Sequence, residues 1–470
     1  MRKKSNWLIF TLVAIAQFMV TLDISITNVA LPAIKRDLHF TDSSLQWVIT
    51  AYALTFGGFL LLGGRAADLF GRRRTLLTGM IAFTIFSLLI GLSHSSTELM
   101  VLRALQGLAA ALMSPSALSI VLTTFQDNGP DRNRALAYWT LVAAGGAAVG
   151  LLLGGALTQF LGWRWNFFVN VPVGIIMSVL ILRIVPVHEP GEATHRKLDL
   201  PGALLVTSSL ITLVLGFSEA PTWGWLSGST LGLIALALVL MGAFLLNESR
   251  ATHPLMPLSI FKIRNVSGAN MMMAPMYATL LGMFFLMTLY IQTVLDYAPA
   301  KTGFAFLPFP LILGFMATRI SKLVARYGFK RFLITGPILV VTAMLWLSRL
   351  PVHGSYFTNV LPALIIMPIG LGMTFMPIFA AATSGVPARE AGLASGLITT
   401  SQQMGGALGL AILSSIAASV TASAVTMSKV DALVHGFDRA IFASTIFMVF
   451  AIFIAVVVIR QPRRQSVDTV

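Results

Sequence analysis

Asp23 is an acid set in apolar sequence: residues 7–22 ahead of it carry no charge, and apolar character resumes behind it as far as Ala33. An ionisable group at that depth in a bilayer costs about 2.5–3.5 kcal/mol on insertion scales. Such a side chain persists when it faces a partner or a wet cavity and when its protonation does work. Two readings fit: an ion-coupling site in a membrane transporter, or a neutral, hydrogen-bonded packing residue. Arg103 is the second charge inside a span, and it needs a partner, a wet cavity or a snorkelling route to the surface. Asp23 and Arg103 each lie near the outer end of their spans, so coupling between them across the N-terminal part is expected. Gln17, Gln46, Trp47, Tyr52 and Gln106, with Tyr290, Gln292, Gln402 and Gln403 opposite, are the candidates for a small-molecule path. Methionine and phenylalanine around Met271, Met272, Met273, Met276, Phe284, Phe285 and Met287 could repack around varied apolar ligands. With 22 Met and 31 Phe in the chain, contact with lipid or between helices explains most such residues. Apart from Asp23 no acid lies deep in a span, which favours monocations or amphipaths over dications as cargo.

The elements that position these groups must be membrane spans. The 470 residues are 56% hydrophobic and only 10% charged, with a mean hydropathy of +0.85. A soluble domain carries about 25% charge. Charge-free runs recur at 43–64, 135–163, 220–247, 265–295, 391–428 and 440–459, each long enough for a helical span of about 20 residues. Read against Gly, Pro and charge breaks, the chain yields fourteen expected helices. The first six are 7–30, 45–64, 75–93, 99–122, 136–159 and 166–185. Two more are 200–218 and 229–247. The last six are 267–292, 302–320, 332–349, 358–383, 392–418 and 439–459. With alternating orientation, only Lys35, Arg36, Arg164, Lys301, Arg349, Lys429 and Arg439 of the 32 basic residues fall in outer segments. That bias places both termini in the cytoplasm. It also accounts for the net charge of +15 without a nucleic-acid partner. The basic start at Arg2, Lys3 and Lys4 imitates a signal peptide, but no small-residue cleavage site follows, so an uncleaved first span is expected. There are no cysteines, which excludes disulfides and thiolate metal sites, and no metal site is expected.

The stretch Gly64-Arg-Ala-Ala-Asp68-Leu-Phe-Gly71-Arg72-Arg73-Arg74 combines a turn glycine, an acid and a basic cluster. A merely topogenic basic loop explains the arginines but not the Gly/Asp spacing. The stretch resembles the G-x-x-x-D-x-x-G-[RK]-[RK] loop of the major facilitator superfamily, which implies a breakable cytoplasmic latch formed by Gly64, Asp68, Gly71, Arg72 and Arg73. A related loop, Gly328-Phe-Lys330-Arg331, follows the tenth span. Further segments resemble the fourteen-span drug/proton antiporter branch of that superfamily. They are Leu22-Asp23-Ile-Ser-Ile-Thr-Asn28-Val-Ala-Leu-Pro32, Arg103-Ala-Leu-Gln106-Gly107, Trp163-Arg-Trp-Asn-Phe167 with Asn170-Val-Pro-Val-Gly174, Tyr290-Ile-Gln292, and Glu390-Ala-Gly392-Leu-Ala-Ser395-Gly396. The resemblance runs from about residue 7 to 460. It implies a proton-coupling role for Arg103. Gly146, Gly150 and Gly154 form a small-residue stripe on the fifth span, suited to close helix approach and similar to the family's antiport motif. Leu151 stands where that motif has proline, which removes a kink and a freed carbonyl. Packing alone also explains the stripe.

The resemblance implies an all-α fold of two six-helix bundles with two extra central spans. Residues 1–190 would form the first bundle, 191–264 the inserted pair with flanking loops, and 265–470 the second bundle with a short basic tail. No G-x-x-x-x-G-K-[ST], H-E-x-x-H or G-x-S-x-G sequence is present, so ATP binding by that loop is excluded and hydrolytic chemistry is not supported. No cofactor is expected beyond a proton gradient. The expectation is proton-coupled efflux of amphipathic or cationic small molecules from a cell membrane, bacterial in type, by a monomer. The alternatives are export of one dedicated metabolite (antibiotic, lipid or siderophore) and a non-transporting membrane sensor or scaffold.

Overall fold

A computed structural model of the chain describes residues 2–125, 129–187, 198–387 and 390–461. Fourteen of its helices are long and apolar enough to cross a membrane. The first six are α1 (Asn6–Asp37), α2 (Trp47–Phe70), α3 (Arg72–Gly91), α4 (Ser96–Thr124), α5 (Arg134–Phe160) and α6 (Trp165–Ile184). Two follow in the centre, α7 (Leu200–Trp223) and α8 (Gly228–Arg250). The last six are α9 (Arg264–Val294), α10 (Pro299–Val324), α11 (Lys330–Leu347), α12 (Tyr356–Thr383), α13 (Ala391–Ser423) and α14 (Lys429–Val457). Each expected span has its helix, and no strand occurs among the described residues. In hydrocarbon a helix satisfies its own backbone groups, so long charge-free runs have no open-chain alternative.

Several helices outrun their expected limits, α1 and α14 the furthest. α1 continues to Asp37 although Pro32 lies inside it. Its polar stretch also stays helical, because the side chains bond back to carbonyls one turn earlier: Thr27 to Asp23, Asn28 to Ile24 and Ser25 to Thr21. Asp23 therefore sits near the middle of its helix rather than near the outer end, a correction to the sequence expectation. α14 begins ten residues earlier than expected, capped by Ser428, whose hydroxyl accepts from the Asp431 amide at 3.2 Å. Asp438 thus falls within a helix, where it accepts from the Leu350 amide at 3.0 Å. Glu248, 3% exposed, lies in the last turn of α8. Asp23 is accordingly not the only acid in a span, although these two lie toward helix ends.

The helices of α1–α6 and α9–α14 pack in matching pairs. α1–α5, α2–α4, α3–α4 and α3–α6 correspond to α9–α13, α10–α12, α11–α12 and α11–α14. The loops after the second helix of each set match as well. Gly71 has φ 92° and Gly328 φ 79°, a left-handed conformation that glycine adopts without strain. Arg73 donates to the Leu182 carbonyl at the end of α6, and Lys330 Nζ to the Val456 carbonyl at the end of α14, at 3.0 Å. Both cations meet the negative end of a helix dipole. One buried apolar cluster serves α1–α6, and a larger one serves α9–α14 with the far parts of α1–α6. With fourteen alternating helices, the start of α1 and the end of α14 fall at one end of the bundle, here called the terminal end. The expected boundary at 190/191 and the tail residues Arg463 and Arg464 lie outside the described residues.

Candidate functional site

Asp23 is fully buried and Arg103 is 1% exposed, and the two form an ion pair. Arg103 Nη1 donates to Asp23 Oδ2 at 2.6 Å. The other carboxylate oxygen, Oδ1, accepts from Gln106 Nε2 at 2.9 Å and from Asn170 Nδ2 at 3.1 Å. Gln106 also bonds Ser87 Oγ at 2.9 Å and accepts from Arg103 Nη1 at 2.6 Å. Arg103 Nε donates to the Val48 carbonyl at 2.9 Å, and the guanidinium lies over the Tyr52 ring at 4.5 Å and the Phe167 ring at 5.7 Å. Five helices (α1, α2, α3, α4 and α6) thus meet on one buried charge pair. Arg103 and Gln106 reach the same carboxylate because a three-residue spacing puts them on one face of α4. The pair is retained because hydrogen bonds and aromatic faces occupy the rest of both ions.

The pair opens onto a cavity between the two six-helix sets, lined by Ile24, Ile49, Tyr52, Ala53 and Arg103 on one side and Tyr277, Leu281 and Gln403 on the other. Its volume, about 10 Å³, suits a water molecule rather than a drug. The Tyr52 hydroxyl is buried without a hydrogen-bond partner among the described residues. Away from the termini the two sets are joined: Gln292 Nε2 donates to the Val29 carbonyl at 2.8 Å, and the Ala300 amide to Gln159 Oε1 at 3.1 Å. The cavity is therefore closed on that side.

Of the expected path residues, Tyr52 and Gln403 line the cavity, and Gln402 contacts the Tyr277 hydroxyl. Gln106 belongs to the charge cluster instead. Gln17 accepts from Ser114, Trp47 donates to Ser218 and Tyr290 to the Pro351 carbonyl. Together with Gln292, these three do not line the cavity. Gln46 is buried with neither amide atom partnered among the described residues. Met272, Met273, Met276, Phe285 and Met287 are buried in the core of the second helix set, Met271 is exposed, and Phe284 stacks on Phe306 and Phe309. They pack rather than line. Asn170, Ser87 and Tyr277 are additions. Asn170 had a signal only as part of the entry to the sixth span, and Ser87 and Tyr277 had none.

Gly146, Gly150 and Gly154 all face α1 beside this cluster. A Cβ on Gly146 would stand 2.4 Å from Thr21 Oγ1, on Gly150 2.8 Å from Ser25 Cβ, and on Gly154 2.8 Å from Ile26. α5 continues unbroken past Leu151, whose carbonyl rests against Gly303 of α10. At the terminal end Asp68, in the last turn of α2, is 58% exposed and faces Arg72 at the start of α3 at 3.8 Å. Gly64 has only Pro115 nearby. Arg65, next to it, donates to the carbonyls of His253, Pro254 and Leu255.

These features coincide with what the chain resembles. A protein of Streptomyces alboniger described as "Puromycin resistance protein pur8" is 39% identical over 458 residues, covering 95% of this chain and 90% of its own. The "Cephamycin export protein CmcT" of Amycolatopsis lactamdurans is 39% identical over 408 residues, 86% of this chain and 84% of its own. In fold, the chain is similar to a crystal structure of a bacterial homolog of the human lysosomal transporter Spinster, in an inward-facing and unoccupied conformation. The TM-score is 0.69 at 14% identity, over 96% of both chains. The peptide-family transporter PepTSo gives the same TM-score at 16% identity, covering 97% of this chain and 96% of its own. The model of the Major Facilitator Superfamily matches residues 13–410. The chain is a multi-pass membrane protein and belongs to the Major Facilitator Superfamily, in its fourteen-span drug-efflux branch.

Proposed function

We propose that the protein exports small amphipathic molecules by alternating access, driven by protons that enter on Asp23. The observation that carries this reading is the buried Asp23–Arg103 pair at the wall of a cavity between the two helix sets. A proton on Asp23 would remove one partner of a buried pair and leave a guanidinium uncompensated, a change of about 3–5 kcal/mol. The five helices that meet on the pair must rearrange to resolvate that charge. Arg103 and Tyr52 belong to the cavity wall as well as to the cluster, so the same rearrangement alters what the cavity can hold. Proton and cargo then compete through one side chain.

Under this reading Tyr52, Tyr277, Gln402 and Gln403 contact cargo, with aromatic faces for apolar rings and amides for polar edges. The Gly64–Arg73 loop governs access from the terminal end, and Gly146, Gly150 and Gly154 carry the contact of α5 with α1. A dedicated cargo is the second reading. The names of the two relatives above speak for it, since one refers to puromycin and the other to cephamycin. The test is uptake into inside-out vesicles or proteoliposomes with an imposed pH gradient, over a panel of puromycin, a cephamycin and amphipathic dyes. Accumulation that collapses with the gradient supports the reading, breadth across the panel separates the two versions, and no accumulation of any probe refutes both.

A further inference from the structure

The central hairpin α7–α8 takes no part in the charge pair or the cavity. α8 packs mainly on α7, whereas α7 lies against both α2 and α13, on the seam between the two helix sets. Its two neighbours hold it differently. Toward α2 the hairpin is tied at both ends. At the far end Ser218 Oγ accepts from Trp47 Nε1 at 3.1 Å and donates to the Ser43 carbonyl at 3.2 Å. At the terminal end Arg65 of α2 grips the carbonyls of His253, Pro254 and Leu255, just beyond α8. Glu248 of α8 holds the same segment from the other side, accepting from the Leu255 and Met256 amides at 3.3 and 3.1 Å. Leu62, Ala203 and Leu255 close a buried apolar cluster there.

Val206, Leu210 and Val214 share one buried apolar cluster with Ala407 and Ala411 of α13 and with Ala53 and Leu54 of α2, so the stretch facing α13 is apolar. Among the described residues, polar ties to α13 lie at the far end, where Ser415 Oγ donates to the Phe217 carbonyl at 2.5 Å and Trp225 Nε1 to Ser419 Oγ at 3.2 Å. Small apolar faces re-register in a membrane at little cost, whereas buried polar ties of fixed geometry resist being parted.

We infer that the α7–α8 hairpin is a rigid attachment of the α1–α6 set, and that α13 slides along α7 during transport. The Phe217–Ser415 and Trp225–Ser419 contacts form the clasp that parts at the far end. This rests on the alternating-access reading above. The chain has no cysteine, so introduced pairs report alone. Two matched pairs decide the matter: Ser43→Cys with Ser218→Cys, and Trp225→Cys with Ser419→Cys. Each is joined by a short bis-methanethiosulfonate reagent, with export measured before linking, after linking, and after a reductant. The Ser43–Ser218 link should leave export within about twofold. The Trp225–Ser419 link should reduce it at least about tenfold, and the reductant should restore it. Free export with the second link, or arrest by the first, overturns the inference. The unlinked variants report on export itself, so a failure of the efflux reading shows before any link is made. In that event spin labels at the same pairs carry the test. One separation across Ser43–Ser218 and two across Trp225–Ser419 are expected, and a single separation at both overturns the inference.

Discussion

Arg103 holds Asp23 at 2.6 Å with the face of its guanidinium against Tyr52, so one side chain joins the buried carboxylate to the cavity wall. A proton arriving at Asp23 and a ligand arriving at Tyr52 both act on Arg103. Among the described residues that line the cavity, Arg103 is the one that bonds the carboxylate directly.

Asp23→Asn should therefore abolish gradient-driven export, by at least about tenfold, while membrane insertion stays near normal. The amide keeps the shape and fixes the neutral state that the cycle has to visit. Downhill equilibration of cargo should survive. The check is a comparison of uphill and downhill flux in one proteoliposome preparation. Uphill export at the wild-type rate would remove Asp23 from the coupling step.

Tyr52→Phe isolates the hydroxyl. That oxygen has no partner among the described residues, so its removal should leave thermal stability unchanged or slightly improved. If it meets a polar edge of the cargo, equilibrium affinity should fall about three- to tenfold, the worth of a single hydrogen bond. Ligand titration beside a melting curve reads both, and unchanged affinity would place cargo elsewhere in the cavity.

Much of this was legible in the sequence because bilayer physics leaves few options. Charge-free runs of about 20 residues must be helices, and two charges within spans must find partners. The pairing of Asp23 with Arg103 was expected from similar depth and is formed, although Asp23 lies nearer the middle of α1 than expected. Asn170 and Ser87 were not legible as partners, since a polar residue in a span bonds its own preceding turn as readily as a neighbour. Gln106 was assigned to the path because the sequence does not tell which face of α4 turns toward α1. The Met/Phe run near 271–287 was ambiguous for the same reason, and it packs into the core. The limits of α1 and α14 were underestimated because Pro32 and the polar residues 429–438 read as ends, although each is accommodated within a helix.

Asp68→Asn should slow cycling more than it weakens binding. Asp68 is 58% exposed and its contact with Arg72 is 3.8 Å, so the pair contributes at most about 1 kcal/mol to this conformation. A latch of this kind matters when the terminal end closes, not in the closed-far-end state seen here. Transport rate should drop severalfold with the ligand dissociation constant within about twofold. Equal losses in both would mean that the loop shapes the binding site.

The fifth helix offers the sharpest contrast, because two of its glycines differ only in what they face. A Cβ on Gly150 would stand 2.8 Å from Ser25 Cβ and 2.9 Å from the carbonyl oxygen of Leu22, the residue before Asp23 on α1. Backbone cannot yield as a side chain can, so Gly150→Ala should push α5 off α1 and disturb the helix that carries the acid. Gly145 has nothing within 4 Å of its Cβ position. Gly145→Ala should be neutral or stabilising, by up to about 1 kcal/mol, because alanine restricts the unfolded chain without a clash. At matched membrane abundance, Gly150→Ala should lose at least about tenfold in gradient-driven efflux and Gly145→Ala almost nothing. Normal efflux by Gly150→Ala would show that the close approach of α5 to α1 is ordinary packing, and the stripe would lose any part in the transport cycle.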